Sequence, residues 1–199
     1  VQENPFQSFI GEEYQAYGLD DILTSIQKAK DNENIKGIYL QAGTMEASCA
    51  SLEEIRNALK NFKESGKFIV AYGDTYTQGM YYLASVADKV IVNPQGTIAW
   101  QGLASQTIFF KDLLKKIGVE MEIFKVGTYK SAVEPFIATE MSEANREQIT
   151  AFLSSTWKRL LEDISASRGI SEDDLNKCAD DCMMFSPAET YVVNGLVDT

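Results

Sequence analysis

The chain has 199 residues, 45% of them hydrophobic, with a formal net charge of -11 and a pI near 4.5. That length can bury a full core for one domain, or for one domain plus an appendage, and the acidic balance without a basic stripe excludes a nucleic-acid backbone as partner. No apolar run approaches the ~20 residues of a membrane-crossing helix, and the first residues lack a charged stretch followed by an apolar one, so the sequence reads as a soluble piece.

In chain order, residues 1–18 contain Pro5, Gly11 and Gly18 without periodicity and read as an irregular lead-in. A short helix follows, capped by Asp20, with Ile22, Leu23 and Ile26 on one face. Ile35 to Leu40 reads as a buried strand. Ser51-Leu52-Glu53-Glu54 fits a capping box for a helix whose apolar positions are Leu52, Ile55, Leu59 and Phe62, stopped at Gly66. Phe68 to Tyr72 is the next strand. Strand, helix, strand implies a parallel sheet with crossover helices. Gly73 to Ser85 reads as a loop entering a helix rich in small and aromatic residues, and Val90 to Trp100 as short strands around the turn Asn93-Pro94-Gln95-Gly96.

Further along, Phe109, Phe110, Leu113, Leu114 and Ile117 predict a helix ended by Gly118. Val119, Met121 and Ile123 alternate with Glu120 and Glu122 and predict a strand with one wet face. Ser142 is a good N-cap for the longest helix, whose stripe runs from Ile149 through Phe152, Leu153, Trp157, Leu160, Leu161 and Ile164 to a stop at Gly169. That stripe is core or subunit interface. Ser171 caps a further helix through Cys178. The adjacent pairs Glu12-Glu13, Glu53-Glu54 and Asp173-Asp174 read as solvated helix starts.

Two residue types narrow the chemistry. The chain contains no histidine, so it cannot build a Ser-His-Asp or Cys-His site, and any base must be a lysine or a carboxylate. Cys49, Cys178 and Cys182 are too few and too irregular for a disulfide framework. The last two are four apart on a predicted helix face, but without histidine they make no zinc site. All three read as buried thiols.

The candidate for base chemistry is Lys130, the one lysine in the apolar run Val126 to Phe136. A free lysine has a pKa near ~10.4. Val126, Tyr129, Ala132, Val133 and Phe136 are neighbours that disfavour an ammonium and lower that value. The competing reading is a lysine whose stem covers apolar surface while its head stays wet. A carboxylate beside Lys130 would oppose base function, so Glu134 is expected to point away or to fix the loop.

Gly127-Thr128-Tyr129-Lys130-Ser131-Ala132-Val133-Glu134-Pro135-Phe136, with Met141-Ser142 and Arg146-Glu147 after it, resembles the lysine segment of the signal peptide peptidase A, or protease IV, family of Ser/Lys-dyad serine proteases. Asn194-Gly195-Leu196-Val197-Asp198 is similar to the ending of that family's repeated domain. The resemblance covers Leu19 to Thr199 and implies the N-terminal, lysine-bearing domain of a larger tandem protein. It also implies an α/β fold of the crotonase or Clp-protease type, built from repeated strand-strand-helix units. In the catalytic half of such proteins a Ser-Gly-Gly turn precedes a Tyr-rich helix; alignment on Tyr81-Tyr82-Leu83-Ala84-Ser85 puts Gln78 at the serine position, and a glutamine amide is no nucleophile. The loop Gln41 to Glu46 lacks the double glycine that would offer N–H donors to an oxyanion.

The resemblance therefore implies that Lys130 is the general base, that the serine lies in a C-terminal half, and that the substrates are cleaved hydrophobic leader peptides. It further implies a homotetramer, anchored in the inner membrane with this domain on the periplasmic side, and no metal or organic cofactor. Two other readings stand beside it. One is a non-catalytic assembly domain whose lysine is vestigial. The other is a crotonase-like acyl-CoA binder, which needs an oxyanion loop and a basic contact for the nucleotide phosphates, and neither motif is evident.

Overall fold

The computed structural model describes residues 17–199 apart from Thr44, Glu46 and Lys125, so the expected lead-in lies outside the described residues except for Tyr17 and Gly18. The chain forms two compact units, Val1–Gln101 with Leu160–Thr199, and Gly102–Arg159.

The first unit is a mixed α/β arrangement around a three-stranded parallel sheet in the order β1 (Gly37–Gln41), β2 (Phe68–Tyr76), β3 (Lys89–Ile98). Helices α1 (Leu19–Asp31), α2 (Cys49–Lys63) and α3 (Gln78–Ala84) precede or connect the strands. Parallel neighbours cannot be joined by a tight hairpin, so each strand pair requires such a crossover. Ile69 and Ala71 of β2, with Val90 and Val92 of β3, fall on one buried face, as the two-residue period of a strand demands. The strand expected to be buried at Ile35 to Leu40 is instead β1, at the end of the strand order, with no fully buried residue. A strand with one sheet neighbour covers only one of its edges, and Tyr39 is 61% exposed.

The predicted turn at 93–96 exists inside β3. Gly73 pairs with Val92 and Thr75 with Thr97, so β3 spends four residues where β2 spends one. Asn93 Oδ1 accepts from the Gln95 N–H at 2.9 Å, which closes the bulge. A Cβ on Gly96 would lie 2.6 Å from the Asp74 carbonyl oxygen, so only glycine fits there.

Two helix starts differ from expectation. Gly18, not Asp20, is the N-cap of α1, and the Asp21 carboxylate accepts from the Gly18 N–H at 3.3 Å. Ser48, not Ser51, caps α2, its Oγ accepting from the Ser51 N–H at 3.1 Å. At α2 the Ser48 hydroxyl meets one of the first-turn amides, whereas at α1 the glycine offers no side-chain acceptor and the bond runs from its own N–H to Asp21.

The core below the sheet is aromatic. Tyr76, Tyr81 and Trp100 are fully buried and meet edge to face, with centroids 6.5 and 5.9 Å apart. Their polar tips reach backbone carbonyls: Tyr76 Oη donates to Ile91, Tyr81 Oη to Leu196 and Trp100 Nε1 to Leu175, each at 2.8 Å. Burial pushes both of these tyrosine hydroxyls far above their ordinary range, so they stay neutral donors.

Arg56 of α2 is 0% exposed and sits on the same helical face as Leu52 and Leu59. Its guanidinium donates to the Tyr82 carbonyl, to Ser85 Oγ, to the Asp163 carbonyl and to Ser167 Oγ, the last three at 2.6 Å. It thereby joins α2 and α3 to the last turns of α6 (Glu143–Arg168), a helix that begins in the second unit and ends in the first. The chain then forms α7 (Glu172–Asp180), capped by Ser171 as expected, a 3-10 turn at Met183–Phe185, and α8 (Ala188–Val193).

The second unit carries α4 (Lys111–Lys116), α5 (Glu134–Ile137) and the start of α6. The predicted helix at 109–117 is the shorter α4, and Gly118 follows at φ +76°. Residues 119–124 form no strand. An alternating pattern becomes a strand only beside another strand, and the described residues of this unit contain none.

Candidate active site

Lys130 lies in the second unit, in the loop between α4 and α5, and is exposed. It does not follow a sheet strand, because residues 119–124 are irregular. Gly127 at φ +104° starts the turn that leads into it, a backbone conformation that a side chain makes costly.

The apolar neighbours expected to dry the lysine do not do so in this chain. Val126 is 90% exposed, Tyr129 56% and Phe136 40%. They surround the lysine in sequence while leaving its surroundings open to water.

What the chain does supply is anchorage on both sides of Lys130. Before it, Tyr129 Oη donates to Glu147 Oε2 at 3.1 Å, and Gln148 Nε2 donates to the Tyr129 carbonyl at 3.2 Å. After it, the Glu134 N–H donates to the Ser131 carbonyl at 3.0 Å, which closes a turn. The Glu134 side chain is buried, and its carboxylate accepts from Ser142 Oγ at 2.5 Å, the Ser142 N–H at 3.2 Å and Asn145 Nδ2 at 3.1 Å. Ser142 is the N-cap expected for α6, with its Oγ accepting from the Asn145 N–H at 3.2 Å. Behind α5, the Phe110 N–H donates to the Pro135 carbonyl at 2.6 Å and the rings of Phe110 and Phe136 stack at 6.2 Å.

Glu134 therefore fixes the loop, the second of the two roles expected for it. The grips from Tyr129 to Glu147 and Gln148 had no signal in residue type alone. The presence of Glu147 in the shared segment Arg146-Glu147 was the available hint.

Gln78 is the first residue of α3, with Thr77 as N-cap. Its Oε1 accepts from the Gln101 N–H at 3.2 Å. A cavity of about 230 Å³ lies nearby at the carboxyl ends of β1 and β2, lined by residues including Gln41, Gly43, Tyr72, Asp74 and Thr77. There the Asp74 carboxylate accepts from Tyr72 Oη at 3.2 Å and Asn93 Nδ2 at 2.8 Å. Among the described residues, no cluster of cysteine and carboxylate side chains could hold a metal ion. Only Cys178 is buried; Cys49 and Cys182 are exposed, and Cys182 lies past the end of α7 in a left-handed conformation at φ +50°. Cys182, beyond the helix end, no longer shares the helical face of Cys178.

Residues 61–199 match the family model of Peptidase family S49, and the chain belongs to that family. It is 43% identical over 162 residues to Protease 4 of Salmonella typhi, covering 81% of this chain and 26% of that protein. It is 40% identical over 154 residues to Protease 4 of Haemophilus influenzae, covering 77% and 25%. It is 29% identical over 157 residues to the chloroplastic serine protease SPPA of Arabidopsis thaliana, covering 79% and 23%. The chain thus spans about a quarter of the length of these relatives.

Proposed function

We propose that this chain is the lysine-bearing N-terminal domain, Leu19 to Thr199, of a tandem signal peptide peptidase, with the crotonase or Clp-type fold of that group. Lys130 is its general base, and the nucleophilic serine belongs to a C-terminal half. The observation that carries the reading is the loop itself: Lys130 stands exposed between two sets of hydrogen bonds to the first turns of α6. A residue that served only to cover its own apolar surface would need no such fixing.

In this mechanism the serine hydroxyl attacks the peptide carbonyl while neutral Lys130 takes its proton. The resulting lysinium then protonates the leaving amine, and water releases the acyl-enzyme by the same base. A working base must be uncharged, which for an amine requires desolvation. Val126, Tyr129 and Phe136 are exposed in this chain, so they dry the lysine once the C-terminal half or another subunit of a homotetramer covers them. Apolar walls of that kind suit hydrophobic leader peptides. No described helix is long and apolar enough to cross a membrane; in this reading the full-length protein is anchored in the inner membrane with this domain on the periplasmic side.

The deciding experiment is peptide hydrolysis by the full-length protein with Lys130→Ala at matched fold and assembly. General-base removal costs roughly 10²- to 10⁴-fold, and retained activity would overturn the assignment. The second reading, a non-catalytic assembly domain, draws on Gln78 at the start of α3 and on the exposed apolar side chains of the second unit. It requires Lys130→Ala to keep full activity.

A further inference from the structure

We propose that Glu134 is the positioning residue for Lys130, an inference that rests on the reading of Lys130 as the base. Glu134 is 4% exposed, and Asn145, one of its donors, is 8% exposed. A carboxylate so placed is costly unless hydrogen bonds replace its water. Three do, all from the N-terminal turn of α6: two from Ser142 and one from Asn145. The helix end adds its own partial positive charge from amides that lack intrahelical partners.

The geometry passes from there to the lysine through four residues. The Glu134 N–H to Ser131 carbonyl bond at 3.0 Å fixes the turn 131–134, and the Ala138 N–H to Glu134 carbonyl bond at 2.9 Å fixes the turn after it. Lys130 is the residue directly ahead of the locked turn. Its Cα is therefore tethered one peptide bond from the locked turn, as it is on the other side by the bonds of Tyr129. A carboxylate held by Ser142 and Asn145 also has its charge met by those donors, so it can sit in the lysine's own loop while serving a neighbouring helix.

The arrangement separates shape from charge. Glutamine at 134 reproduces it if the Ser142 hydroxyl changes from donor to acceptor, a change that leaves its bond from the Asn145 N–H intact. Alanine removes the three bonds to the carboxylate and keeps only the two backbone bonds. In the full-length enzyme, Glu134→Ala is expected to lower kcat roughly tenfold to hundredfold, the cost of a misplaced catalytic group, with KM unchanged. Amide hydrogen exchange over residues 129–137 is expected to speed up in the same variant while the β2 and β3 amides keep their protection. Glu134→Gln is expected to restore both readouts to near wild type.

Wild-type kcat in Glu134→Ala, or unchanged loop exchange there, overturns the proposal. Should that variant fail to fold, Ser142→Ala decides instead: a fall in kcat with faster loop exchange supports the role, and wild-type kcat refutes it. Full activity in Lys130→Ala overturns the base assignment and this role with it. An inactive Lys130→Ala beside a fully active Glu134→Ala overturns the positioning role alone.

Discussion

Arg168 and Asp198 meet end-on, Nη1 donating to Oδ2 at 3.1 Å and Nη2 to Oδ1 at 3.0 Å. The same guanidinium donates to the Gly195 carbonyl, and Asp198 Oδ2 accepts from the Val90 N–H at 2.7 Å. One ion pair thus ties the end of α6 and the residues after α8 to β3. Asp88 is used in the same way, paired with Lys63 at 2.8 Å and accepting from the Ile69 N–H of β2 at 2.8 Å.

Acid should therefore weaken the fold in part through these two carboxylates. Partial burial pushes each upward, but at Asp198 the Arg168 guanidinium and the Val90 N–H outweigh it, and at Asp88 Lys63 and the Ile69 N–H do. Both are held below their ordinary value of 3.8. The unfolded chain then binds more protons in that window, so their stabilisation is complete above 3.8 and is lost as pH falls through the lower folded values. Urea midpoints should be level from neutral pH down to about 5 and fall below about 4. A variant with Asp88→Asn and Asp198→Asn should be weaker at neutral pH and less sensitive to acid; an unchanged acid slope would remove these residues from the explanation.

Arg56 should be the most costly single residue to truncate in the first unit. It lies 4.5 Å from the Tyr82 ring centroid, and Tyr82 Oη donates to Asp163 at 2.6 Å, so cation, ring and carboxylate are stacked in one dry layer. Arg56→Ala leaves the Tyr82 and Asp163 carbonyls and the Ser85 and Ser167 hydroxyls without the guanidinium that donates to them, a loss of roughly 3 to 5 kcal/mol when buried polar groups lose a shared donor. Arg56→Lys keeps the charge but not the fork that reaches both α3 and α6, and should still lose about 2 kcal/mol. Urea denaturation of the three proteins at neutral pH checks the order; equal midpoints for lysine and arginine would show that charge alone suffices.

The contrast between these residues and the helix ends shows what a sequence makes legible. Ser142 and Gly169 delimit α6 correctly because an N-cap and a left-handed stop are local events. Gly169 has φ +69°, a conformation that its own lack of Cβ permits. Arg56 was hidden because periodicity counts apolar residues, and a cation on the apolar face of α2 is skipped by the count. The alternation at 119–123 misled for the opposite reason, since it describes a strand that needs a neighbour the sequence does not name. For the candidate site, what the sequence offers is the decapeptide that singles out Lys130. The anchorage of that lysine was not legible, because the partners of Glu134 lie eight and eleven residues on, across a turn whose path no local rule sets.

Thiol reactivity should divide the cysteines two to one. Cys49 and Cys182 are exposed, whereas Cys178 is buried in α7 and burial pushes its thiol up, which lowers its thiolate fraction. An aromatic disulfide reagent should titrate two thiols quickly in the native protein and the third only on unfolding. Rapid reaction of all three would mean that α7 does not pack as described.

The chain by itself should hydrolyse no peptide and take no label from a serine-directed fluorophosphonate. At the start of α3, where the family resemblance places the nucleophile of a catalytic half, stands Gln78, an amide whose oxygen accepts from the Gln101 N–H at 3.2 Å. An amide has no lone pair basic enough to attack a phosphorus or carbonyl centre under these conditions, and in the proposed division the hydroxyl that Lys130 activates lies in the C-terminal half. Intact-mass measurement after incubation with the probe settles the first point: a stoichiometric adduct on this chain would place a reactive serine here and refute the division between two halves. In the full-length protein the label should map to a serine outside residues 1–199. Its rate of attachment should fall by roughly 10²- to 10⁴-fold in Lys130→Ala, because the probe reads the same proton transfer that hydrolysis needs. Labelling at an undiminished rate would mean that another group activates the serine, and that the anchored loop holds Lys130 for a different purpose.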